Sequence, residues 1–288
     1  MRPRRSLLFV PADRPDRVRK AAGLPTDAVI IDLEDGVDLS RKDEARRLAA
    51  QALAEVDFGS REVILRTNSP GSPFFAADLE ALLAFPRLPD TVMIPKVERP
   101  EDLEAIAARL DQRGIACGLI PCVESARAVL DAPAIARAGG RNTGLMFGGY
   151  DFSADIGAAN EWEPQLYARS RVVLAAAAAG IDPIDTPYGD FSDPEGLAEW
   201  CRKSRRLGFV GKCAIHPSQL EIINAAYAPT PEELQWAQRV VAAAEQQGYG
   251  AINLDGRMVD MAVVRVAQRI VAVARRTGML PGDPTREG

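Results

Sequence analysis

Short apolar runs alternate with helical patterns along most of the chain. The runs are rich in valine, isoleucine and leucine, which is typical of strands that are buried on both faces of a parallel sheet. Eight runs are predicted as strands, at residues 7–10, 28–33, 62–66, 91–95, 117–123, 143–147, 180–185 and 209–215. Because parallel strands need crossover connections, their alternation with helices predicts an α/β fold.

Helical patterns fill the intervals between these runs. Three of the predicted helices carry a proline near their start, at Pro100, Pro164 and Pro194, where its fixed φ suits the first turn. The predicted helices follow Asp13 and cover residues 42–56, 78–84, 100–113, 164–179 and 194–207. Eight strands with intervening helices predict a (β/α)8 TIM barrel over residues 1–230. A doubly wound open sheet is the alternative, but the Gly-rich dinucleotide turn expected of it is missing from the sequence.

A C-terminal helical extension is predicted after the barrel, over residues 231–288. In residues 231–247, apolar positions such as Leu234, Ala237 and Val241 recur at helical spacing, and glycines at 248 and 250 are expected to end that helix. A loop around residues 254–256 and a second amphipathic helix follow. Residues 278–288 are expected to be a frayed terminus.

Composition narrows the classes of function. With 47% hydrophobic and 26% charged residues, the chain is typical of a globular protein with a large core. Its formal net charge of −5 gives no basis for a nucleic-acid partner. Since the sequence shows neither a signal-peptide pattern nor the ~18 apolar residues of a membrane span, we expect a cytoplasmic protein without a membrane partner. The four cysteines lack CxxC spacing and are expected to be buried free thiols.

Polar residues follow seven of the eight predicted strands, at the ends where barrel enzymes carry their active sites. A few such residues would be ordinary helix caps, but so many at one end indicate a functional mouth. They include Asp32, Glu34, Asp35, Arg66, Asn68, Lys96, Glu98, Glu124, Asp151, Asp185 and His216.

Glu124 and Asp151 follow neighbouring predicted strands and are the candidate metal ligands. Two carboxylates at this position can share a hard cation such as Mg²⁺, which keeps water and substrate oxygens in its other coordination positions. The alternative is that each residue caps the segment after it. A site made of several histidines is excluded, because His216 is the one histidine in the chain.

Three basic residues near strand ends each have two interpretations. Arg66 suits a carboxylate or an oxyanion, and its alternative is a salt bridge to Asp32 or Glu34. Lys96 and Lys212 are candidate Schiff-base nucleophiles, but ordinary ion pairs with the acidic mouth are favoured for both.

The sequence resembles the citrate lyase beta subunit-like group of the HpcH/HpaI aldolase superfamily. The matching segments are RRSLLFVPADRPDRV, VIIDLEDGV, RTNSPGSPFFAADL, MIPKVE, IPCVESARAVL, GGYDFSADIG, IDPIDTPYGDFSD, GFVGKCAIHPSQLEIIN and GRMVDMAVV. They cover nearly the whole chain, and their combination is specific. The resemblance implies a (β/α)8 barrel with extra C-terminal helices, assembled as a homotrimer or hexamer.

The resemblance also implies roles for single residues. Glu124 and Asp151 match the family's Mg²⁺ ligands, and Arg66 matches the arginine that binds the substrate carbonyl and stabilises an enolate. Asp260 matches an acid that related lyases bring into a neighbouring subunit's site on a C-terminal lid. The remaining expectations are catalytic support beside the metal from Asp32 and Glu34, substrate contacts from Asn68 and Lys96, and a coenzyme A contact from Arg14.

These roles predict a Mg²⁺-dependent carbon–carbon lyase. The expected substrate is a 3-hydroxyacyl-CoA such as citramalyl-, malyl- or citryl-CoA, and the expected products are acetyl-CoA and a keto acid. One alternative is a citrate lyase beta subunit that acts on a carrier protein. Another is a thioester-free Mg²⁺ aldolase, which the lack of a histidine before His216 disfavours.

Overall fold

A closed parallel barrel dominates the computed structural model, which describes residues 2–247, 252–254 and 256–281. In this part of the chain, eight strands follow one another around the barrel in sequence order, and the last pairs with the first. All eight neighbouring pairs are parallel. The prediction of a TIM barrel is therefore confirmed.

The strands and helices alternate as the sequence pattern indicates. The barrel strands are β1 Ser6–Pro11, β2 Ala28–Asp32, β3 Glu62–Arg66, β4 Thr91–Ile94, β5 Gly118–Val123, β6 Gly144–Phe147, β7 Asp182–Asp185 and β8 Gly211–Ala214. The helices up to residue 227 are α1 Pro15–Ala21, α2 Lys42–Glu55, α3 Phe75–Leu83, α4 Pro100–Gln112, α5 Ala126–Arg137, α6 Gly149–Asp155, α7 Trp162–Ala179, α8 Pro194–Leu207 and α9 Leu220–Tyr227. After them come α10 Pro231–Gln247, β9 Ile252–Leu254, β10 Arg257–Val259 and α11 Met261–Arg276.

Apolar side chains from every strand fill the interior of the barrel. The interior cluster consists of Leu7, Ala28, Ile30, Ile64, Met93, Ile120, Cys122, Met146, Ile184 and Cys213. These side chains alternate along each strand with others that face the helices, so both faces of the sheet are buried. All four cysteines are free and buried, as expected.

A buried ion pair closes the end of the barrel where the strands begin. Arg4 donates from Nε and Nη2 to the two carboxylate oxygens of Glu62, at 2.6 and 2.7 Å. It also donates to the carbonyl of Thr143, and Thr91 donates its hydroxyl to Glu62 at 2.6 Å. Because these contacts join β3, β4 and the start of β6 at one end, the opposite end is left for a site.

Two features differ from the sequence-based expectations. Helices α5 and α6 were missing from the predicted set; in α5, Pro133 and the five alanines of residues 126–137 obscure the apolar stripe. The residues expected as a loop near position 254 include two short antiparallel strands, β9 and β10, which are too brief to give a recognisable alternation. The predicted helix stop at residues 248–250, the loop residue Asp255 and most of the expected frayed end, residues 282–288, lie outside the described residues.

The chain divides into two compact units. The barrel unit is Arg4–Asn224, and the C-terminal unit is Met1–Pro3 with Ala225–Gly288. In the C-terminal unit, α10 and α11 pack through a small apolar core that includes Ala237, Val240, Val264 and Ala267. The boundary predicted at residue 230 falls in the loop between α9 and α10, and it stays a prediction. None of the described helices combines the length and the apolar character needed to cross a membrane.

Candidate active site

Polar side chains gather at the mouth of the barrel, where the carboxyl ends of the strands meet. Asp32 ends β2 and Arg66 ends β3. Lys96 and Glu124 follow β4 and β5, and Asp151 lies in the first turn of α6, directly after β6. The fold therefore brings five of the predicted site residues to the same end of the barrel.

Arg66 is held in a fixed orientation by two carboxylates and a ring. It donates from Nε and Nη2 to the two oxygens of Asp32, both at 2.7 Å, and its Nη1 lies 2.9 Å from Glu34 Oε2. The guanidinium carbon lies 4.4 Å from the centre of the Phe9 ring. The salt-bridge interpretation of Arg66 is thus correct, and these contacts fix the orientation of the guanidinium.

The charges of this group are set by burial and by pairing. Burial works against the charge of Arg66, but Asp32 and Glu34 raise its pKa, so Arg66 stays a cation. Burial alone would raise the pKa of Asp32, yet Arg66 and two backbone N–H groups lower it. Burial raises the pKa of Glu34, and the nearby cations Arg66 and Lys96 only partly oppose that rise.

Lys96 connects the acidic residues of the mouth. Its Nζ donates to Glu34 Oε1 at 2.8 Å and lies 3.7 Å from Asp151 Oδ1, while its backbone N–H donates to Glu124 Oε2 at 2.9 Å. Lys96 has a φ of 52°, a left-handed conformation that costs a non-glycine residue about 1–3 kcal/mol. In this conformation, the backbone N–H of Lys96 contacts Glu124 while its ammonium group contacts Glu34.

Glu124 is a buried carboxylate in an acidic environment. Burial first, and then the charges of Glu34 and Asp151, raise its pKa to about 8, although Arg66 acts in the opposite direction. Gly148 makes room for it, since a Cβ at that position would lie 2.3 Å from Glu124 Cγ. Burial among other acidic groups fits a carboxylate whose charge is offset by a bound cation.

The mouth has the donors that a Mg²⁺ ion needs. Among the described residues, five carboxylates there face two cations, an excess of three negative charges when all are ionised. Asp151 is partly open, with 44% of its side chain exposed. Within residues 2–247, 252–254 and 256–281, no three His, Cys, Asp or Glu side chains form a ready-made metal cage. A cation between Glu124 and Asp151 would therefore keep several positions for water and substrate oxygens, as Mg²⁺ prefers.

Neither candidate Schiff-base lysine has the expected environment. Lys212 is fully buried and donates to Asp185 Oδ2 at 2.7 Å. Burial opposes the charge of Lys96, but its hydrogen bond and charge interaction with Glu34 raise its pKa. A nucleophilic lysine must be a free amine, so ion pairing is the better interpretation for both residues.

Asn68 is buried beside the mouth, and its predicted substrate contact stays a prediction. Its backbone N–H and its side-chain amide both donate to Asp78 Oδ2, at 2.7 and 2.6 Å. It lines a small cavity of about 360 Å³ that also contains Glu34 and Lys96. Asn68 therefore holds the loop after β3 against α3, beside the mouth.

A groove of about 650 Å³ leads from Arg66 and Asp32 to the surface. Its walls are mostly apolar, and two cations, Arg17 and Lys20, lie along it on α1. Its other lining residues are Leu8, Phe9, Val10, Pro11, Ala21, Leu24, Asp35, Gly36, Pro187, Ile215, His216 and Pro217. The groove suits a long ligand with an apolar stretch and an anionic group.

The basic residues that line this groove differ from the one expected there. Arg14, for which the family resemblance implies a coenzyme A contact, lies just before α1 with 55% of its side chain exposed, outside the set of described residues that line the groove. Arg17 and Lys20 line it because they lie one turn apart on the same face of α1, and the contact of Arg14 stays a prediction. Their spacing after Pro15 was the signal that could have identified them.

His216 has a local structural role. Its Nδ1 accepts the backbone N–H of Ser218 and caps the short turn that follows β8. Its ring stacks on the exposed ring of Phe191, with 5.0 Å between the centroids. These contacts give His216 a position on the wall of the groove.

Asp260 belongs to the C-terminal unit. It is exposed and accepts the backbone N–H groups of Ala262 and Val263, at 2.9 and 3.0 Å, as the N-cap of α11. This capping explains why an acid precedes the helix. Its predicted role as a catalytic acid stays a prediction.

Comparisons with protein families agree with this architecture. The model of the HpcH/HpaI aldolase/citrate lyase family matches residues 5–217. A second model, of carbon–carbon bond lyases of the TIM-barrel fold, matches residues 179–279. The expectation of a carbon–carbon lyase, made from the sequence, is thereby confirmed.

Individual relatives cover nearly the whole chain. The mitochondrial citramalyl-CoA lyase of Rattus norvegicus is 38% identical over 94% of this chain and 86% of its own. The citrate lyase subunit beta of Leuconostoc mesenteroides subsp. cremoris is 36% identical over 97% of this chain and 96% of its own. The structure of CitE from Mycobacterium tuberculosis, with magnesium, acetoacetate and coenzyme A, is 36% identical and superposes with a TM-score of 0.79, covering 95% of this chain and 97% of that one. The chain therefore belongs to the HpcH/HpaI aldolase/citrate lyase family.

Proposed function

We propose that this chain is a Mg²⁺-dependent lyase that cleaves, or forms, a 3-hydroxyacyl-CoA with a carboxylate, such as citramalyl-, malyl- or citryl-CoA. One observation carries the proposal: Arg66 borders both the acidic mouth and the 650 Å³ groove. A thioester in the groove would place its carbonyl at Arg66 and its hydroxy acid among the carboxylates. The rat relative, named as a citramalyl-CoA lyase, and the Mycobacterium structure, which contains coenzyme A, support a coenzyme A thioester as the substrate.

Cleavage requires charge to move onto the thioester oxygen. The 3-hydroxyl gives up its proton to solvent, the electrons of the C2–C3 bond move toward the thioester carbonyl, and C3 becomes the new carbonyl carbon of the released keto acid. Arg66 stabilises the enolate oxygen, and stabilisation of such developing charge is often the largest contribution to catalysis. A Mg²⁺ ion held by Glu124 and Asp151 would polarise the hydroxyl and carboxylate oxygens of the substrate.

The enolate must then take a proton on carbon to become the methyl group of acetyl-CoA. Asp260 is the proposed donor, on the strength of the family resemblance. Asp32 and Glu34 keep Arg66 oriented, and Lys96 is placed to meet the carboxylate of the hydroxy acid. In the synthetic direction the same groups act in reverse.

The test is a panel of citramalyl-, malyl- and citryl-CoA with purified protein, with Mg²⁺ or with EDTA. Glu124→Gln is the variant, and Glu104→Gln, on the exposed face of α4, is the matched control. We expect acetyl-CoA release by the wild type and the control with Mg²⁺ only, and none by Glu124→Gln. Turnover that survives both EDTA and Glu124→Gln would refute the metal site.

A carrier-dependent beta subunit is the second candidate function. The 36% identity to the Leuconostoc citrate lyase subunit beta favours it. In that case every free acyl-CoA would be inert, and a citryl group on an acyl carrier protein would be cleaved. The same panel with a carrier-bound substrate separates the two functions.

The assembly and the compartment are further proposals. The family resemblance supports a homotrimer or hexamer, which light scattering after gel filtration would detect. A cytoplasmic location is proposed from the sequence pattern alone, and the mitochondrial rat relative is a reason to test it by fractionation.

A further inference from the structure

Gly149 is the residue through which the mouth is joined to a buried charge cluster. It begins α6, two residues before Asp151. Its backbone N–H donates to Thr186 Oγ1 at 3.0 Å, and its carbonyl accepts from Gln165 Nε2 at 2.9 Å. The backbone N–H and the carbonyl of Gly149 therefore both form hydrogen bonds with side chains from outside α6.

The two glycines of this turn are closely packed on opposite sides. A Cβ on Gly148 would meet Glu124, and a Cβ on Gly149 would lie 2.9 Å from Gln165 Oε1. The backbone that leads to Asp151 thus passes between one candidate metal ligand and the buried amide of Gln165. A small movement of this turn would change the distance between Glu124 and Asp151.

Gln165 and Thr186 are themselves fixed by buried charges. Arg169 donates to Gln165 Oε1 at 2.8 Å, and Lys212 donates to the carbonyl of Thr186 at 2.6 Å. Both cations pair with Asp185. Gln165, Arg169, Asp185 and Lys212 have no exposed surface.

This cluster is poorly explained as a source of stability. It buries two cations with one carboxylate, and buried ion pairs are often no better for stability than apolar residues of the same volume. The Arg169 guanidinium is surrounded by the rings of Phe147, Trp162 and Trp200, about 5 Å away, which locks its position. What such a cluster does supply is a single, well-defined geometry for the groups it contacts.

We propose that Thr186 and Gln165, held by the Arg169–Asp185–Lys212 cluster, are positioning residues that set Asp151 relative to Glu124 for the divalent cation. The inference rests on the proposed metal site and extends it to residues that touch neither the metal nor the substrate. Groups that orient metal ligands typically change metal affinity by about 10–100-fold when they are removed.

The test is Mn²⁺ affinity without substrate, measured from the electron paramagnetic resonance of the free ion. Thr186→Val keeps the shape but removes the acceptor for the Gly149 N–H, whereas Thr186→Ser retains it. Thr91→Val is the matched control, because Thr91 is equally buried but lies at the opposite end of the barrel. We expect the Mn²⁺ Kd to rise about tenfold in Thr186→Val and to change less than about twofold in the other two variants.

Melting temperatures distinguish a specific effect on the metal ligands from a general loss of stability. Thr186→Val and Thr91→Val should lose similar stability while only the former loses Mn²⁺ affinity. An unchanged Kd in Thr186→Val, or an equal rise in Thr91→Val, would overturn the inference. If Thr186→Val does not fold, Gln165→Met removes the donor to the Gly149 carbonyl and is judged by the same two outcomes.

The variant Glu124→Gln distinguishes a failure of the positioning inference from a failure of the proposed function. Wild-type Mn²⁺ binding that disappears in Glu124→Gln establishes the metal site, whatever Thr186→Val shows. If the wild type binds no Mn²⁺, or Glu124→Gln binds it equally well, the metal site fails and the positioning inference fails with it.

Discussion

Arg66 and Asp32 meet through two parallel hydrogen bonds, from Nε to Oδ1 and from Nη2 to Oδ2, each 2.7 Å long. The third nitrogen, Nη1, lies 2.9 Å from Glu34. Two of the five N–H groups of the guanidinium thus donate to Asp32, which leaves three for other acceptors. The pairing therefore orients the guanidinium and favours its charged form.

Arg66→Lys tests the value of this orientation. Lysine keeps the charge but has no planar fork, so it cannot hold Asp32 through two bonds and also face an oxyanion. We expect kcat to fall by about 10²–10³-fold, in line with the loss of an oxyanion donor, and the melting temperature to change little. Arg5→Lys is the control, since Arg5 makes the same two-bond contact with Asp27 at the other end of the barrel. Equal losses of activity in the two variants would contradict a specific role for Arg66.

The pKa of Glu124 predicts how pH affects the metal-free protein. Burial and acidic neighbours raise this pKa to about 8, so the folded protein keeps a proton that the unfolded chain releases near pH 4.5. Stability should therefore be highest below pH 4.5 as far as this group is concerned, and should decline as pH rises toward 8. With EDTA present, we expect the wild type to lose melting temperature between pH 6 and 8 and Glu124→Gln to lose less.

The same proton must leave before a cation binds. Mn²⁺ affinity should therefore increase by up to about tenfold per pH unit below pH 8 and level off above it. Titrations at pH 6, 7 and 8 measure this directly. An affinity that is constant over this range would show that Glu124 is already ionised without metal.

The sequence predicted the barrel well because each strand can be recognised by itself as a short apolar run. Runs such as AVIID and TVMI are apolar on both faces, and the helices between them make the parallel arrangement the expected one. The same reasoning placed Glu124, Asp151 and Arg66 at one mouth, since the carboxyl ends of all strands share it. The position of a residue at the end of a strand was therefore enough to identify it as a candidate site residue.

Contacts between side chains could not be predicted in the same way. The left-handed backbone of Lys96 and the lining of the groove by Arg17 and Lys20 depend on local geometry that composition does not encode. The buried cluster around Asp185 escaped the sequence pattern too, because its Arg169 comes from α7, a helix whose apolar residues are spread around the axis and mark no buried face. Tertiary packing decided each of these cases.

Asp185 and Lys212 should contribute very differently to stability. Asp185→Asn leaves two buried cations without a counter-ion and should cost about 3–5 kcal/mol. Lys212→Met leaves the balanced pair of Arg169 and Asp185, so we expect a smaller loss. Urea unfolding followed by tryptophan fluorescence measures both, because Trp200 packs against the cluster.

The control for this comparison is Glu199→Gln. It breaks an exposed pair with Arg202 on α8, and such solvent-exposed pairs contribute little to stability. A loss in Lys212→Met as large as that in Asp185→Asn would show that the extra cation, rather than the carboxylate, holds the cluster together.

The groove predicts where the anionic end of the thioester lies. The double variant Arg17→Gln, Lys20→Gln should raise KM for an acyl-CoA about tenfold and leave KM for the matching acyl-pantetheine unchanged, because pantetheine lacks the phosphates. Arg14→Gln is measured beside it: unchanged KM values would show that Arg14 makes no contact with coenzyme A, whereas a raised KM for the acyl-CoA alone would support the contact that the resemblance implies. If the double variant weakened both substrates equally, the two cations would act on the groove's shape and not on phosphate.

The most direct test of the account is to run the reaction in D₂O and analyse the products by mass spectrometry. The proposed enolate takes its proton from a solvent-exchanged acid, so we predict acetyl-CoA with one deuterium and an equal amount of keto acid, both lost with EDTA. Free CoA with an intact hydroxy acid would instead mean thioester hydrolysis, and would contradict carbon–carbon cleavage at Arg66.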